Sequence, residues 1–211
     1  MRSKLGIFCI VLGVLLLLGA PVLAFFNMRQ DAQAGNAAAA VLPQLVDQIR
    51  DNTAKEPTAP EDGFLDWGLQ VPVDLLTEED KKMTEVEIDG YAYIGYLTIP
   101  SLGLELPIMS TWSYPQLRIA PCRYAGSLRG EDLVLMAHNY NNHFGRLSQL
   151  NIGDSLSFTS MDGVTTHYKV VAKDILDPTA VEEITEGVYD LTLFTCTYGG
   201  ASRVTVYCDK E

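Results

Sequence analysis

Residues 191–200 read LTLFTCTYGG. A run of Leu, Thr and Phe stops at Cys196, and a glycine pair follows at 199–200. β-Branched and aromatic residues suit a pleated, half-buried surface, and glycines mark turns. The stretch therefore reads as a strand that carries a thiol to the mouth of a turn. A cysteine is more often a small core hydrophobe than a reactive group, so the position alone assigns it no chemistry.

The next strand-like run, SRVTVYC at 202–208, places Arg203 seven residues after Cys196. In an antiparallel hairpin the two sit at the same end. Upstream, DLVLMAH at 132–138 ends on His138, just before the turn-rich NYNNHFG. Further short runs are YAYIGYLTIP (91–100), LELPIM (104–109), DSLSFTS (154–160) and THYKVVAKDIL (166–176). Gly, Pro, Asn and Asp separate them, and Gly153-Asp154 and the MDGV turn at 161–164 carry hairpin signals, with Gly163 supplying a positive φ. From Ile88 onward the pattern predicts a mainly β domain, either a sandwich or a closed barrel.

The chain has 211 residues, with 27 acidic against 15 basic side chains and a net charge of -12. Such an acidic balance argues against nucleic acid, which is bound by a basic face. Leu5 to Phe26 carry no charge. At about 1.5 Å per residue this run spans a hydrocarbon core of roughly 30 Å. Arg2 and Lys4 precede it, which puts the N-terminus in the cytoplasm and the rest of the chain outside. A cleaved signal peptide is the rival, with Val22-Leu23-Ala24 as a loose cleavage site. The apolar run exceeds the core of an ordinary signal, so a retained anchor over residues 1–26 is the favoured reading.

Residues 27–87 read as an extracytoplasmic stalk. Val41, Leu45, Val46 and Ile49 suggest a helix interrupted or started near Pro43, TAKEPTAPEDG (53–63) suggests a linker, and LTEEDKKMTE (76–85) suggests a short acidic helix. Of the four cysteines, Cys9 lies in the apolar run, leaving Cys122, Cys196 and Cys208 outside. An odd number cannot all pair within one chain. A Cys122–Cys208 bridge is a minor alternative; Cys208 shares strand parity with Val204 and Val206 and reads as a buried thiol. No cysteine or histidine spacing fits a zinc site, and no metal or cofactor is expected.

A thiol, an imidazole and a guanidinium at three strand ends form a chemically coherent set. The thiolate is the nucleophile, and an imidazole can take its proton and return it to a leaving amine. A guanidinium stays charged and can hold a carbonyl or the oxyanion formed from it. His143, in a loop, and His167, on a surface strand position, are not assigned to the chemistry. Residue types alone leave the trio unproven, since most proteins contain all three.

TLFTC (192–196) followed by Arg203 resembles the sortase signature TLxTC…R. LVLMAHNYNNHFGRLSQLNIGD (133–154) resembles the segment that carries the sortase histidine, and YIGYLTIPSLGLELPI (93–108) resembles the first strands of that domain. The resemblance covers residues 88–211. It implies an eight-stranded β-barrel behind a membrane anchor, in an extracytoplasmic cysteine transpeptidase of Gram-positive type. Cys196 would be the nucleophile, His138 the acid/base, Arg203 the oxyanion or substrate-positioning group, and Thr195 a residue shaping the substrate site. Implied partners are surface proteins or pilins with an LPxTG-like sorting signal, and an amine from a peptidoglycan precursor or a pilin lysine. The short Cys-to-Arg loop and compact domain do not match an inserted-helix (class B) form, and no lid triplet of the pilin-type enzymes is present; the class stays open. An L,D-transpeptidase would bring an SHGC-like sequence that is missing here, and an inactive membrane-anchored binding module is the remaining alternative.

Overall fold

A computed structural model describes residues 2–54, 77–78 and 81–211. The linker expected at 53–63 falls outside the described residues from Lys55 onward, as do Leu76, Glu79 and Asp80 of the acidic segment. The chain opens with helix α1 (Arg2–Ala54). Among the described residues nine strands follow: β1 (Val86–Ile88), β2 (Tyr91–Ile99), β3 (Leu104–Met109), β4 (Cys122–Ala125), β5 (Leu133–Ala137), β6 (Ser155–Ser160), β7 (Thr165–Leu176), β8 (Leu191–Cys196) and β9 (Arg203–Lys210). Two short helices, α2 (Tyr114–Leu117) and α3 (Val181–Thr185), lie in connections.

The strands run in the order β1-β2-β3-β4-β5-β8-β9-β7-β6, and β6 pairs back onto β2. That last pairing closes a ring of eight strands, with β1 appended outside it as a hairpin arm on β2. The ring is mixed: β3–β4 and β5–β8 are parallel and the other pairings antiparallel. The closure depends on Gly95, where β2 bulges at φ 145°. A Cβ there would stand 2.0 Å from the Thr159 carbonyl oxygen, so only glycine lets β6 approach. The hairpin turn expected at MDGV joins β6 to β7, with Gly163 at φ 78°.

Side chains alternate as the strand period requires. Leu133, Leu135 and Ala137 of β5, Leu191 and Leu193 of β8, and Val206 and Cys208 of β9 point into one core with Ile94, Leu97, Ile108, Phe158 and Tyr168. Burying each large apolar side chain contributes about 1.5–3 kcal/mol, and this core supplies the main stabilisation. The intervening positions, Val134 on β5 and Phe194 on β8, face outward and pack with Ile184 of α3.

Helix α1 divides into two parts. In the first, Ile7, Phe8, Ile10, Leu15, Leu16, Leu17, Val22 and Leu23 are all exposed. Its apolar window has mean hydropathy 2.8 and none of it is buried, which suits a lipid environment rather than a protein core. In the second, Ala34, Ala38, Val41, Leu45 and Ile49 form a buried stripe at helical spacing. Val41, Leu45 and Ile49 pack against Ile88, Tyr93, Met109 and Met161 on the outside of the barrel. Asn52 Nδ2 donates to the Met161 carbonyl at 3.1 Å, fixing the end of α1 near the β6–β7 turn.

The helix does not break at Pro43. It runs through both Pro21 and Pro43. A proline removes one helical hydrogen bond and crowds the carbonyl four residues back. Pro43 and Ala39 are both exposed, so the freed Ala39 carbonyl faces solvent while the buried stripe holds the helix on either side.

All four cysteines are free, and Cys122 and Cys208 are buried in separate apolar clusters. The structure therefore excludes the Cys122–Cys208 bridge, as strand placement puts the two thiols in different layers.

Candidate active site

The alternation that fills the barrel also builds the site. With Leu191 and Leu193 turned inward, Thr195 turns inward and Cys196 outward. With Ala137 inward, His138 follows it on the outer side. Cys196 and Arg203 are directly paired across the β8–β9 ladder, and directly opposed residues share a face. Strands β5 and β8 run parallel, with Ala137 opposite Thr195. His138 therefore leaves β5 beside the point where Cys196 ends β8.

Thr195 is 3% exposed, and its Oγ1 donates to the Ala137 carbonyl at 2.8 Å. This bond ties together the residues that immediately precede His138 and Cys196. The β8–β9 turn is held by Thr197 N donating to the Ser202 carbonyl at 2.9 Å and Gly200 N to the Thr197 carbonyl at 2.8 Å. Arg203 Nη1 donates to the carbonyls of Gly200 and Ser202, each at 3.3 Å. One guanidinium nitrogen thus braces the turn, and the rest of the fork can serve a bound carbonyl.

Cys196, His138 and Arg203 are each half-buried. Burial, helped by the Arg118 charge, lowers the pKa of His138, so its neutral form is favoured. The buried thiols behave differently. Burial pushes Cys122 and Cys208 up to about 12, which keeps them protonated and unreactive.

Two unlike surfaces flank the trio. On one side, Phe194, two residues before Cys196 on the same face, packs edge-on against Tyr124 at 5.2 Å between ring centres. Ile184, Leu176 and Met136 extend this apolar side. On the other side lies a cleft of about 460 Å³, lined by His138, Asn139, Tyr140, Asn141, Tyr198 and Gly199, and closed by Asn27, Met28, Gln30 and Asp31 of α1. Asp31 Oδ1 accepts from Asn142 N at 3.0 Å, and Asp31 Oδ2 from Asn141 Nδ2 at 3.4 Å. Asn27 Nδ2 donates to Tyr198 Oη at 3.3 Å.

The sequence brings Cys196, His138, Arg203 and Thr195 into view, and the structure brings them together. His167 is exposed on β7, remote in register from the trio. His143 differs from a plain loop residue. It is fully buried, and neither ring nitrogen has a hydrogen bond of good geometry. Its ring meets that of Tyr140, which in turn meets that of His138, in tilted contacts at 5.6 and 5.1 Å between ring centres. The α1 residues are a further addition: nothing in NMRQD at 27–31 marks it as part of a cleft, since its role comes from how α1 docks.

The family model described as "Sortase domain" matches residues 97–211. Among solved structures, sortase C1 from Streptococcus suis is similar at 28% identity and TM-score 0.51, covering 56% of this chain and 73% of that one. Sortase C from Streptococcus pneumoniae, at 21% identity and TM-score 0.52, covers 80% and 89% respectively. The sortase D5 transpeptidase of Clostridium perfringens, at 19% identity and TM-score 0.52, covers 65% and 90%. The two below a quarter identity speak to the barrel alone. No curated protein sequence matches significantly.

Proposed function

Because the chain belongs to the sortase family and is a sortase-type cysteine transpeptidase, we propose that it cleaves an LPxTG-like sorting signal and passes the acyl group to an amine. Cys196 is the nucleophile, His138 the acid/base and Arg203 the oxyanion and carbonyl clamp. Thr195 shapes the site from beneath. The observation that carries this reading is the direct pairing of Cys196 with Arg203, with His138 one residue beyond the Thr195–Ala137 bond.

The steps follow from the arrangement. The Cys196 thiol passes its proton to the neutral imidazole of His138 as its sulfur attacks the scissile carbonyl, whose oxygen takes the negative charge, and the Arg203 fork binds it. The C–N bond breaks, and the imidazolium of His138 gives its proton to the departing amine. A thioester on Cys196 remains. The acceptor amine then attacks it, the C–S bond breaks, and His138 takes the amine's proton and returns it to the sulfur. A neutral imidazole is the form this second step needs, and burial of His138 favours it.

The apolar side at Phe194, Ile184 and Leu176 suits the aliphatic part of a sorting signal. Surface proteins or pilins carrying such a signal are the proposed donors. Residues 1–26 act as a cytoplasmic tip and membrane anchor, supported by the exposed apolar surface of α1, and residues 88–211 form the extracytoplasmic catalytic domain. Incubating the full chain in detergent with a library of sorting-signal peptides and amines, with mass spectrometry of products, tests the reading. A thioester on Cys196 and an amide product are expected; an adduct elsewhere, or none, overturns it.

A further inference from the structure

We infer that the Asn27–Asp31 turn of α1 is the wall of an acceptor subsite, where Asp31 binds the primary ammonium of the incoming nucleophile; this rests on the transpeptidase reading above. The cleft at this turn holds His138 on one side and α1 on the other. Asn27, Gln30, Asp31, Asn139 and Asn141 give this cleft hydrogen-bonding groups for an amine, and the apolar side of the trio is left to the acyl donor. Asp31 is the carboxylate among the lining residues, and among the described residues no Lys or Arg lines the cleft to compete with a cation.

Asp31 keeps capacity for this task. Its two oxygens accept one hydrogen bond each, from Asn142 N and Asn141 Nδ2. A carboxylate offers about four acceptor positions, so the loop bonds leave room for an ammonium. The same bonds fix the carboxylate in place relative to the loop that starts at His138. The wall is also tightly seated. A Cβ on Gly35 would stand 2.9 Å from the Asn142 side chain, and Ala34 and Ala38 are buried beneath it. Small residues at 34, 35 and 38 therefore let α1 approach the His138 loop closely.

The chemistry is consistent from end to end. A primary amine arrives mainly protonated, and a fixed carboxylate draws it in. The bound ammonium releases one proton to solvent; the free amine attacks the thioester, the new C–N bond forms as the C–S bond breaks, the nitrogen's second proton passes to the neutral imidazole of His138, and the imidazolium returns it to the Cys196 sulfur. The net charge of -12 favours approach of cationic acceptors in the same sense.

The test uses the full-length chain in detergent, acylated by a sorting-signal peptide. The readout is the partition of the acyl-enzyme between aminolysis and hydrolysis, which does not depend on the rate of acylation. The probes are triglycine and Nα-acetyl-lysine, both ammonium ions near neutrality, and hydroxylamine, which is uncharged there. Asp31→Asn is expected to lower the partition toward the charged amines about five- to tenfold and to leave that toward hydroxylamine in place. The amine with the larger fall identifies the acceptor source, an N-terminal glycine or a lysine side chain. An unchanged partition for both charged amines, or an equal fall for hydroxylamine, overturns the subsite. Gln30→Glu adds a second carboxylate to the same wall and is expected to raise the partition toward charged amines; should Asp31→Asn fail to fold, the absence of that rise overturns the proposal. Failure of the wild-type chain to form any acyl-enzyme would instead strike the transpeptidase reading.

Discussion

Thr195 Oγ1 and the Ala137 carbonyl, 2.8 Å apart inside the barrel wall, lock the end of β8 to the end of β5. Through that bond the residues just beyond, Cys196 and His138, hold a common position. Thr195→Val keeps the shape and removes the donor. It removes a buried hydrogen bond, so a loss of about 1–2 kcal/mol in stability is expected. Slackened alignment of thiol and imidazole should also lower kcat/KM about tenfold. Urea denaturation and peptide-cleavage kinetics measure the two effects; wild-type kinetics would show that the bond serves the fold alone.

Arg203→Lys is expected to lower kcat by about 10²–10³, the usual scale for one oxyanion donor. Arg203 Nη1 already donates to the Gly200 and Ser202 carbonyls, so in this role the other N–H groups of the fork would have to hold the oxyanion. A lysine ammonium cannot do both from one point charge. Near-wild-type kcat/KM, with an unchanged circular dichroism spectrum, would remove Arg203 from the oxyanion role.

The three thiols outside the apolar run should separate by reactivity. Cys196→Ala abolishes thioester formation, whereas Cys122→Ala and Cys208→Ala retain it. Burial holds the latter two thiols at about 12 and out of reach of reagent. Alkylation of the folded chain, mapped by peptide mass spectrometry, should label Cys196 well ahead of either.

His143 makes stability depend on pH. Burial first, and then the His138 charge, bring it from 6.5 down to about 4, against smaller opposing effects of the Ala34 and Ile119 backbone and of Asp31. The unfolded chain therefore binds the proton more readily than the folded one. Stability from this group is fully present above 6.5, is lost as pH falls toward 4, and changes no further below that. The loss amounts to about 3 kcal/mol. Denaturant midpoints across that range should fall for wild type and fall less for His143→Phe; parallel slopes would assign the acid sensitivity to other groups.

Leu45 tests whether α1 is part of the folded unit. It is 0% exposed, against the outside of the barrel. Leu45→Ala is expected to cost about 2–5 kcal/mol, as for a core leucine. A loss below half a kilocalorie would mean that α1 and the barrel are energetically separate.

Residue patterns exposed the barrel because its strands are short, punctuated and alternating, and because hairpins such as β6–β7 carry their own turn residues. They singled out Cys196, Arg203 and His138 as candidates because all three sit at strand ends, and only the TLxTC…R resemblance supplied their expected roles. They passed over β1 and β4, of three and four residues, since so few positions show no period. Pro43 suggested a break because local propensity weighs a lost hydrogen bond but not a buried stripe. The roles of Asp31 and His143 are non-local. Asp31 meets Asn142 across 111 residues of sequence, and His143 is buried by a helix that begins far upstream.

The unbroken course of α1 has a mechanical consequence. A flexible tether would let the catalytic domain sweep a hemisphere above the bilayer. A rigid rod instead sets its altitude. Were Leu5–Phe26 to lie in lipid, Asp31 would stand five positions beyond Phe26, a rise of about 8 Å. Such an anchor would hold the cleft beside His138 at headgroup level and make its search for substrate two-dimensional. Donors and acceptors that are themselves lodged in the membrane would meet it by lateral diffusion, while a soluble peptide would have to find a site already pressed against a surface.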